Sequence, residues 1–170
     1  MKSFFLFIVW LPFDCCYGQT AVSIGANTGM VTRLHGLTAG IGGSVELVTR
    51  FSEHAGARFY AGYDYFKAKG PNSYIAFLPI RAGIQGILSD IFFLYGEAGV
   101  AQYYSPNEKL SGFSFNLGGG YQVPFGLRRQ FIQISAFYNS MFYKKNYSWA
   151  WLNLRVAYGF GLGKPGKNSG

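Results

Sequence analysis

The stretch SWAWLNLRVAYGFGL, residues 148–162, decides the fold of this 170-residue chain. From its fifth position every second residue is apolar and most are large: Leu152, Leu154, Val156, Tyr158, Phe160 and Leu162. The residues between them are small or polar, and Arg155 adds a full charge. Alternation with period two is typical of a β-strand with one apolar and one polar face. It continues here for eleven residues, and a tilted strand needs ~9–11 residues to cross a bilayer.

The composition favours strands over helices. Aromatic residues make up 19% of the chain, with 17 Phe and 13 Tyr. Charged residues make up only 13%, about half the ~25% that is usual in soluble domains. The 24 glycines and six prolines suit turns and strands. Since the chain after residue 18 contains no long uninterrupted apolar run, any membrane crossing is expected to be made by strands.

Residues 1–18 are expected to form a secretory signal peptide. Lys2 supplies the positive start, and the apolar run that follows it is too short to span a membrane. Small residues precede Gln19, which is the predicted first residue of the mature chain. Cys15 and Cys16 leave with the signal, so the mature chain has no cysteine for a disulfide or a thiolate site. A lipid anchor on either cysteine is the less favoured alternative.

The mature chain contains eight segments with the same alternation, each ending in turn or loop residues. The predicted strands are 20–28, 38–50, 57–66, 74–87, 91–103, 112–123, 131–143 and 148–162. No linker divides them, so residues 19–163 form one domain, followed by a polar tail at 164–170. We predict an all-β fold, an eight-stranded antiparallel up-and-down transmembrane β-barrel, because closure leaves no unpaired strand edge in lipid.

The two faces of these strands differ in charge. The apolar face is almost free of charge in all eight segments, whereas the opposite face contains six charged residues: Glu46, Arg58, Asp64, Arg81, Glu97 and Arg155. A secreted lipocalin-like barrel is the main alternative, but it would hide an apolar cavity behind a polar exterior. Three arginines and three acids of net zero charge suit a narrow lumen in which opposite charges pair.

One lumenal pair can be placed by position. If the turn after the fourth strand centres on Ser89, Arg81 and Glu97 lie directly opposite each other. We therefore expect this pair to form the centre of a lumenal charge network, in which Arg155 faces Glu97 or another acid. The network is expected to be a structural polar plug rather than an ion path, because side chains just fill the interior of an eight-stranded barrel.

Aromatic residues gather towards both ends of the predicted strands, as in the interfacial girdles of membrane barrels. One predicted girdle contains Tyr65, Tyr74, Tyr103, Tyr104, Tyr143, Tyr147 and Trp149. The other contains Phe51, Phe92, Phe125, Phe131 and Phe160.

Three motifs carry a resemblance to a known family. They are AFLPIRAGIQ at 76–85, LYGEAGVA at 94–101 and FNLGGGYQ at 115–122. With the eight-strand layout, they resemble the small outer-membrane β-barrel domain common in Bacteroidota. The resemblance implies a location in the bacterial outer membrane. Both chain termini are expected in the periplasm, and the connections after odd-numbered strands on the outer side.

These outer connections are basic. They contain Arg33, Lys67, Lys69, Lys109, Lys144 and Lys145. Lipopolysaccharide phosphates are the expected partners of this basic outer rim. Another outer-membrane protein is a further candidate partner for the apolar wall, and nucleic acid is not expected.

Catalytic chemistry is not indicated. A Ser-His-acid site needs a histidine beside a serine, but His35 and His54 are predicted at opposite ends of the barrel. Two separated histidines without cysteine provide no metal site, and no cofactor is expected. The sequence therefore favours a structural or interaction role, with a lipid-A-modifying enzyme as the alternative and a narrow pore as a less favoured one.

Overall fold

We describe the chain from a computed structural model that covers residues 19–31, 38–67, 73–89, 91–125, 129–144 and 147–162. The expected signal peptide and the polar tail lie outside these residues. No helix in the described ranges is both long and apolar enough to cross a membrane.

Eight strands account for nearly all of the described chain. They are β1 (Gln19–Val31), β2 (Thr38–Arg50), β3 (Ala55–Lys67), β4 (Tyr74–Ile87), β5 (Phe92–Ser105), β6 (Glu108–Phe125), β7 (Gln130–Lys144) and β8 (Tyr147–Gly161). Each strand pairs antiparallel with the next, and β8 returns to pair with β1. This closed barrel confirms the predicted fold class.

The bounds of β2 and β4 are those that the alternation predicts. The largest difference is at the β5–β6 hairpin, where the predicted loop is mostly strand. Backbone pairing continues to Ser105 and Glu108, which face each other across a two-residue turn. The polar composition of this segment led to the prediction of a loop. Polar side chains do not prevent backbone pairing beyond the apolar belt, so the two strands continue there.

Burial alternates along most of the strands' described length in the sense expected of a barrel in lipid. In β8, Asn153 and Arg155 are fully buried in the lumen. Their neighbours Leu154 and Val156 are 55% and 56% exposed on the outer wall. A soluble barrel would bury the leucine and valine instead, since exposing a continuous apolar belt to water is unfavourable. The orientation of the two faces therefore excludes the lipocalin-like alternative.

The predicted register of the β4–β5 hairpin is wrong. Arg81 pairs with Gly99, and Glu97 pairs with Gly83, so the two charged residues are not direct cross-strand partners. The hairpin closes one residue later than predicted, because the amides of Leu88 and Ser89 both donate to the carbonyl of Phe92. The pairing differs from the prediction by two positions. Because side chains alternate between the faces with a period of two, Arg81 and Glu97 both remain on the lumenal face.

The predicted aromatic girdles are correct only in part. Tyr65 and Tyr74 stack on the outer wall with ring centroids 5.7 Å apart. Tyr103 and Phe131, in contrast, are 6% and 7% exposed and face the lumen. Trp149 also packs against buried lumenal residues. The prediction grouped aromatic residues by their height along the strands and ignored which face each one occupies.

A charge on the lipid-facing wall tests the orientation of the faces. We expect Leu154→Arg, near the middle of β8, to lower the free energy of unfolding by ~2–4 kcal/mol, because arginine at the bilayer midplane is costly. Phe160→Arg, near the end of β8, is the matched control and should cost only ~0–1 kcal/mol. Urea unfolding in lipid vesicles measures both, and equal costs would contradict the assignment of Leu154 to the membrane core.

Candidate functional site

The lumen gathers the charged side chains that the sequence predicts. All six lie on alternate positions of five strands, and none is more than 4% exposed. These residues are Glu46 on β2, Arg58 and Asp64 on β3, Arg81 on β4, Glu97 on β5 and Arg155 on β8.

Arg58 lies at the centre of the charge network. Its Nη2 donates to Glu46 Oε1, and its Nε donates to Glu97 Oε1 at 2.5 Å. Its Nη1 donates to Gln85 Oε1 at 2.9 Å, so all three nitrogens of the guanidinium are used. The guanidinium carbon also lies 3.7 Å from the centroid of the Tyr95 ring. Such forked, charge-assisted bonds require the fixed planar geometry of arginine.

Glu46 joins a second arginine to the network. Arg155 Nη1 lies 2.8 Å from Glu46 Oε2, in an ionic contact whose angle falls outside hydrogen-bond geometry. Arg155 also donates to Ser44 Oγ at 2.8 Å and to Ser23 Oγ at 3.0 Å. Arg155 therefore contacts an acid as the sequence predicts, and that acid is Glu46.

Arg81 joins the network from the opposite side. Its Nε lies 3.6 Å from Glu97 Oε2, although the two residues are not cross-strand partners. Its Nη1 donates to Asn139 Oδ1 at 2.7 Å, and its guanidinium carbon lies 4.7 Å from the centroid of the Tyr60 ring. Arg81 is thus held by β7 as well as by Glu97.

Glycines make room for this contact. A Cβ added to Gly83 would collide with the backbone of β5, and one added to Gly99 with the backbone of β4. These are the two residues that face Glu97 and Arg81 across the hairpin. Their lack of side chains leaves lumenal space for the arginine and the glutamate to approach each other diagonally.

Asp64 differs from the other five charges, since no arginine or lysine of the described chain forms an ion pair with it. Instead it accepts hydrogen bonds from three neutral groups. Asn27 Nδ2 donates to Oδ1 at 3.1 Å, and Trp151 Nε1 and Asn153 Nδ2 each donate to Oδ2 at 3.0 Å. Asn27 in turn accepts from Ser44, which connects Asp64 to Arg155 indirectly.

An apolar cluster fills the lumen beyond Asp64, at the end away from where β1 begins and β8 ends. We call this end the distal end and the opposite one the terminal end. Phe77 and Trp151 stack there with centroids 4.2 Å apart at 13°. The distal cluster consists of Val31, Phe66, Ile75, Phe77, Ala101, Tyr103, Met141 and Trp151. This cluster was not predicted, although its residues occupy positions of the polar face and interrupt the polar pattern there.

The predicted basic outer rim is described only in part. Lys67 at the end of β3 and Lys109 near the start of β6 are exposed at the distal end. Lys109 Nζ lies 5.1 Å from the centroid of the Tyr104 ring. Lys144 is the last residue of β7. Three further rim residues lie outside the described residues: Arg33, Lys69 and Lys145.

Only one of the two histidines lies within the described residues. His54 is exposed in the β2–β3 turn at the terminal end, where its backbone amide donates to Ser52 Oγ at 3.3 Å. His35 lies outside the described residues.

Removal of a central guanidinium tests the network. Arg58→Met should lower the free energy of unfolding by ~3–5 kcal/mol, because two carboxylates would lose their closest charge partner. Arg81→Met is the control and should cost less, about 1–3 kcal/mol, because its contact with Glu97 is longer. Adding Glu97→Gln to Arg58→Met should recover part of the loss. Urea unfolding in lipid vesicles measures each variant, and equal costs for both arginines would contradict this arrangement.

Comparison with known proteins identifies the fold. No family model and no curated protein sequence matches the chain. Among solved structures, the chain is similar to Ail, the attachment invasion locus protein of Yersinia pestis, in complex with the heparin analogue sucrose octasulfate. The TM-score is 0.60 at 16% identity, over 85% of this chain and 99% of that chain.

Two further structures agree. Neisserial surface protein A matches with a TM-score of 0.60 at 14% identity, over 83% of this chain and 96% of that one. The N-terminal β-barrel domain of Pseudomonas aeruginosa OprF matches with a TM-score of 0.50 at 15% identity, over 84% and 99%. At these identities the likeness concerns the fold: this chain has the architecture of the small eight-stranded outer-membrane β-barrels.

Proposed function

We propose that the protein is an integral outer-membrane barrel with a closed lumen, which acts through its outer surfaces and neither conducts nor catalyses. The observation that carries this proposal is the filling of the lumen by two different layers of buried side chains. The five-residue charge network occupies the middle, and the distal cluster lies beyond it.

The two layers oppose passage for different reasons. An ion that entered the charge network would have to displace buried guanidinium–carboxylate contacts, which is costly at low dielectric. A hydrated solute would also have to separate the stacked rings of Phe77 and Trp151. Trp151 links the cluster to Asp64 through its Nε1, and Asn27 and Ser44 continue this chain of hydrogen bonds to Arg155. The lumen is therefore proposed to be a structural plug.

The proposed orientation has both termini in the periplasm and the distal end at the cell surface. The exposed Lys67 and Lys109 would then lie beside lipopolysaccharide phosphates, for which ammonium groups are natural partners. The structure of Ail, a barrel of the same fold, contains a sulfated heparin analogue. That complex supports the proposal that polyanions are recognised on such a scaffold. We also propose that the chain is a member of the Bacteroidota-type barrel domain family. A second outer-membrane protein is a further proposed partner.

Conductance tests the closed lumen. The folded protein, verified by heat-modifiable gel mobility, should give no discrete current steps in planar bilayers in concentrated potassium chloride. A porin added to the same bilayer is the positive control. Reproducible single-channel steps from the wild-type barrel would overturn the proposed plug and favour the narrow pore.

Lipopolysaccharide dependence tests the rim. Unfolding free energy should be higher in vesicles that contain lipopolysaccharide than in neutral phospholipid vesicles. Lys67→Gln and Lys109→Gln should each reduce this difference by about 1 kcal/mol, the usual effect of one basic residue near an anionic surface. Lys67→Arg and Lys109→Arg are the charge-conserving controls and should retain the difference. An equal loss with arginine, or no lipopolysaccharide effect on the wild type, would contradict the proposed contact.

A further inference from the structure

Unpaired polar atoms gather on one side of the lumen. In the described part of the chain, eleven buried side-chain nitrogen and oxygen atoms have no hydrogen-bond partner. Six of the eleven belong to four neighbouring residues: Arg81 Nε and Nη2, Glu97 Oε2, Asn116 Nδ2 and Oδ1, and Asn139 Nδ2. Each of these residues is at most 4% exposed. Because most buried polar atoms of native proteins have a partner, this group of atoms points to a bound ligand.

The strand register brings the four residues together. Asn116 on β6 is the direct cross-strand partner of Glu97 on β5 and of Asn139 on β7. Arg81 contacts both outer members of this row. Its Nη1 donates to Asn139 Oδ1 at 2.7 Å, and its Nε lies 3.6 Å from Glu97 Oε2. The guanidinium therefore extends across the row in front of Asn116, so the unpaired atoms of the four residues lie close to one another.

The contact between Arg81 and Glu97 is longer than a direct hydrogen bond. Glu97 Oε1 accepts from Arg58 Nε at 2.5 Å, whereas Oε2 of the same carboxylate is 3.6 Å from Arg81 Nε. A polar separation above ~3.5 Å is typical of two groups that share a bridging water molecule. Gly83 and Gly99, which face Glu97 and Arg81 across the hairpin, contribute no side chain to this part of the lumen.

The unpaired atoms define the chemistry of the ligand. The unpaired donors are N–H groups of Arg81, Asn116 and Asn139. The unpaired acceptors are Glu97 Oε2 and Asn116 Oδ1. The carboxylate would repel an anion, and the guanidinium would repel a metal cation. A small neutral molecule that both donates and accepts hydrogen bonds fits both sets of atoms, and water has this property.

We infer that these four residues form a binding site for buried water inside the plug. A buried water typically makes about three hydrogen bonds to otherwise unpaired groups, so about two molecules would supply partners for the six atoms. They would also hydrate Arg81, which shares the Glu97 carboxylate with Arg58. The inference rests on the proposed closed lumen, because the water stays bound only if the two layers of the plug separate it from bulk solvent.

Asn27 on β1 provides a matched comparison within the same lumen. It is 4% exposed, but both polar atoms of its amide have protein partners. Its Nδ2 donates to Tyr60 Oη at 3.2 Å and to Asp64 Oδ1 at 3.1 Å, and its Oδ1 accepts from Ser44 Oγ at 3.1 Å. Asn27 therefore needs no water. It also lies beside two hydroxyl groups, so it controls for NMR signals relayed through exchanging hydroxyl protons.

Magnetisation transfer from water tests the site in the nitrogen-labelled barrel in lipid nanodiscs. The side-chain amides of Asn116 and Asn139 should show water cross-peaks of opposite sign in laboratory-frame and rotating-frame Overhauser spectra, as long-lived bound water does. The Asn27 amide should give cross-peaks that are several-fold weaker. Equally weak cross-peaks at all three asparagines would overturn the water site and leave the plug intact. Equally strong ones would mean that water fills the lumen, and would overturn the plug as well.

A substitution locates the bound water. Asn116→Leu has a side chain of similar size but removes two of the six unpaired atoms. The water cross-peak at Asn139 should then fall several-fold, because the water loses its partners on β6. Leu117→Val, at the neighbouring lipid-facing position of β6, is the control and should leave this cross-peak unchanged. Full intensity at Asn139 in a folded Asn116→Leu barrel would contradict the site, and the wild-type comparison decides if that variant does not fold.

Discussion

The structure depends on the pairing of charges that the barrel encloses. Lipid surrounds the wall, side chains fill the interior, and an unpaired guanidinium or carboxylate in that setting would be strongly destabilising. Arg58 meets this constraint by placing its donors on Glu46, Glu97 and Gln85 at once. Residues from β2, β3, β4 and β5 are thereby joined through one side chain. The charge network thus fixes neighbouring strands across the lumen in addition to the backbone ladder.

Much of this arrangement could be predicted from the alternation alone. The face of each strand follows from a period of two, so the lumenal positions of residues such as Arg155 and Asp64 needed no tertiary information. The register did not follow, because the closure of the β4–β5 hairpin depends on how two amides share the Phe92 carbonyl. The distal cluster was missed for a different reason. Tyr103 and Trp149 are aromatic residues near strand ends, where the prediction placed them in a girdle, but their parity places them on the lumenal face.

The lumen changes character along its length in a way that composition cannot reveal. The distal end is apolar and stacked, the middle is ionic and internally paired, and the terminal mouth has a polar lining that includes Arg50, Gln122 and Gln133. Asp64 marks the boundary between the first two regions, because its three donors are neutral and one of them belongs to the distal cluster. In the proposed orientation the plug would separate the lipopolysaccharide-facing rim from the periplasmic end of the lumen.

Solvent exchange of the arginine Nε–H protons tests the closed network most directly. Arg58 Nε donates to Glu97 and Arg155 Nε donates to Ser44, both within the buried lumen. In nitrogen-edited NMR spectra of the barrel in lipid nanodiscs, we expect both protons to exchange with water far more slowly than the Nε–H of Arg50 at the mouth. Exchange of the Arg58 and Arg155 protons as fast as that of Arg50 would mean that water fills the lumen, and would contradict the account.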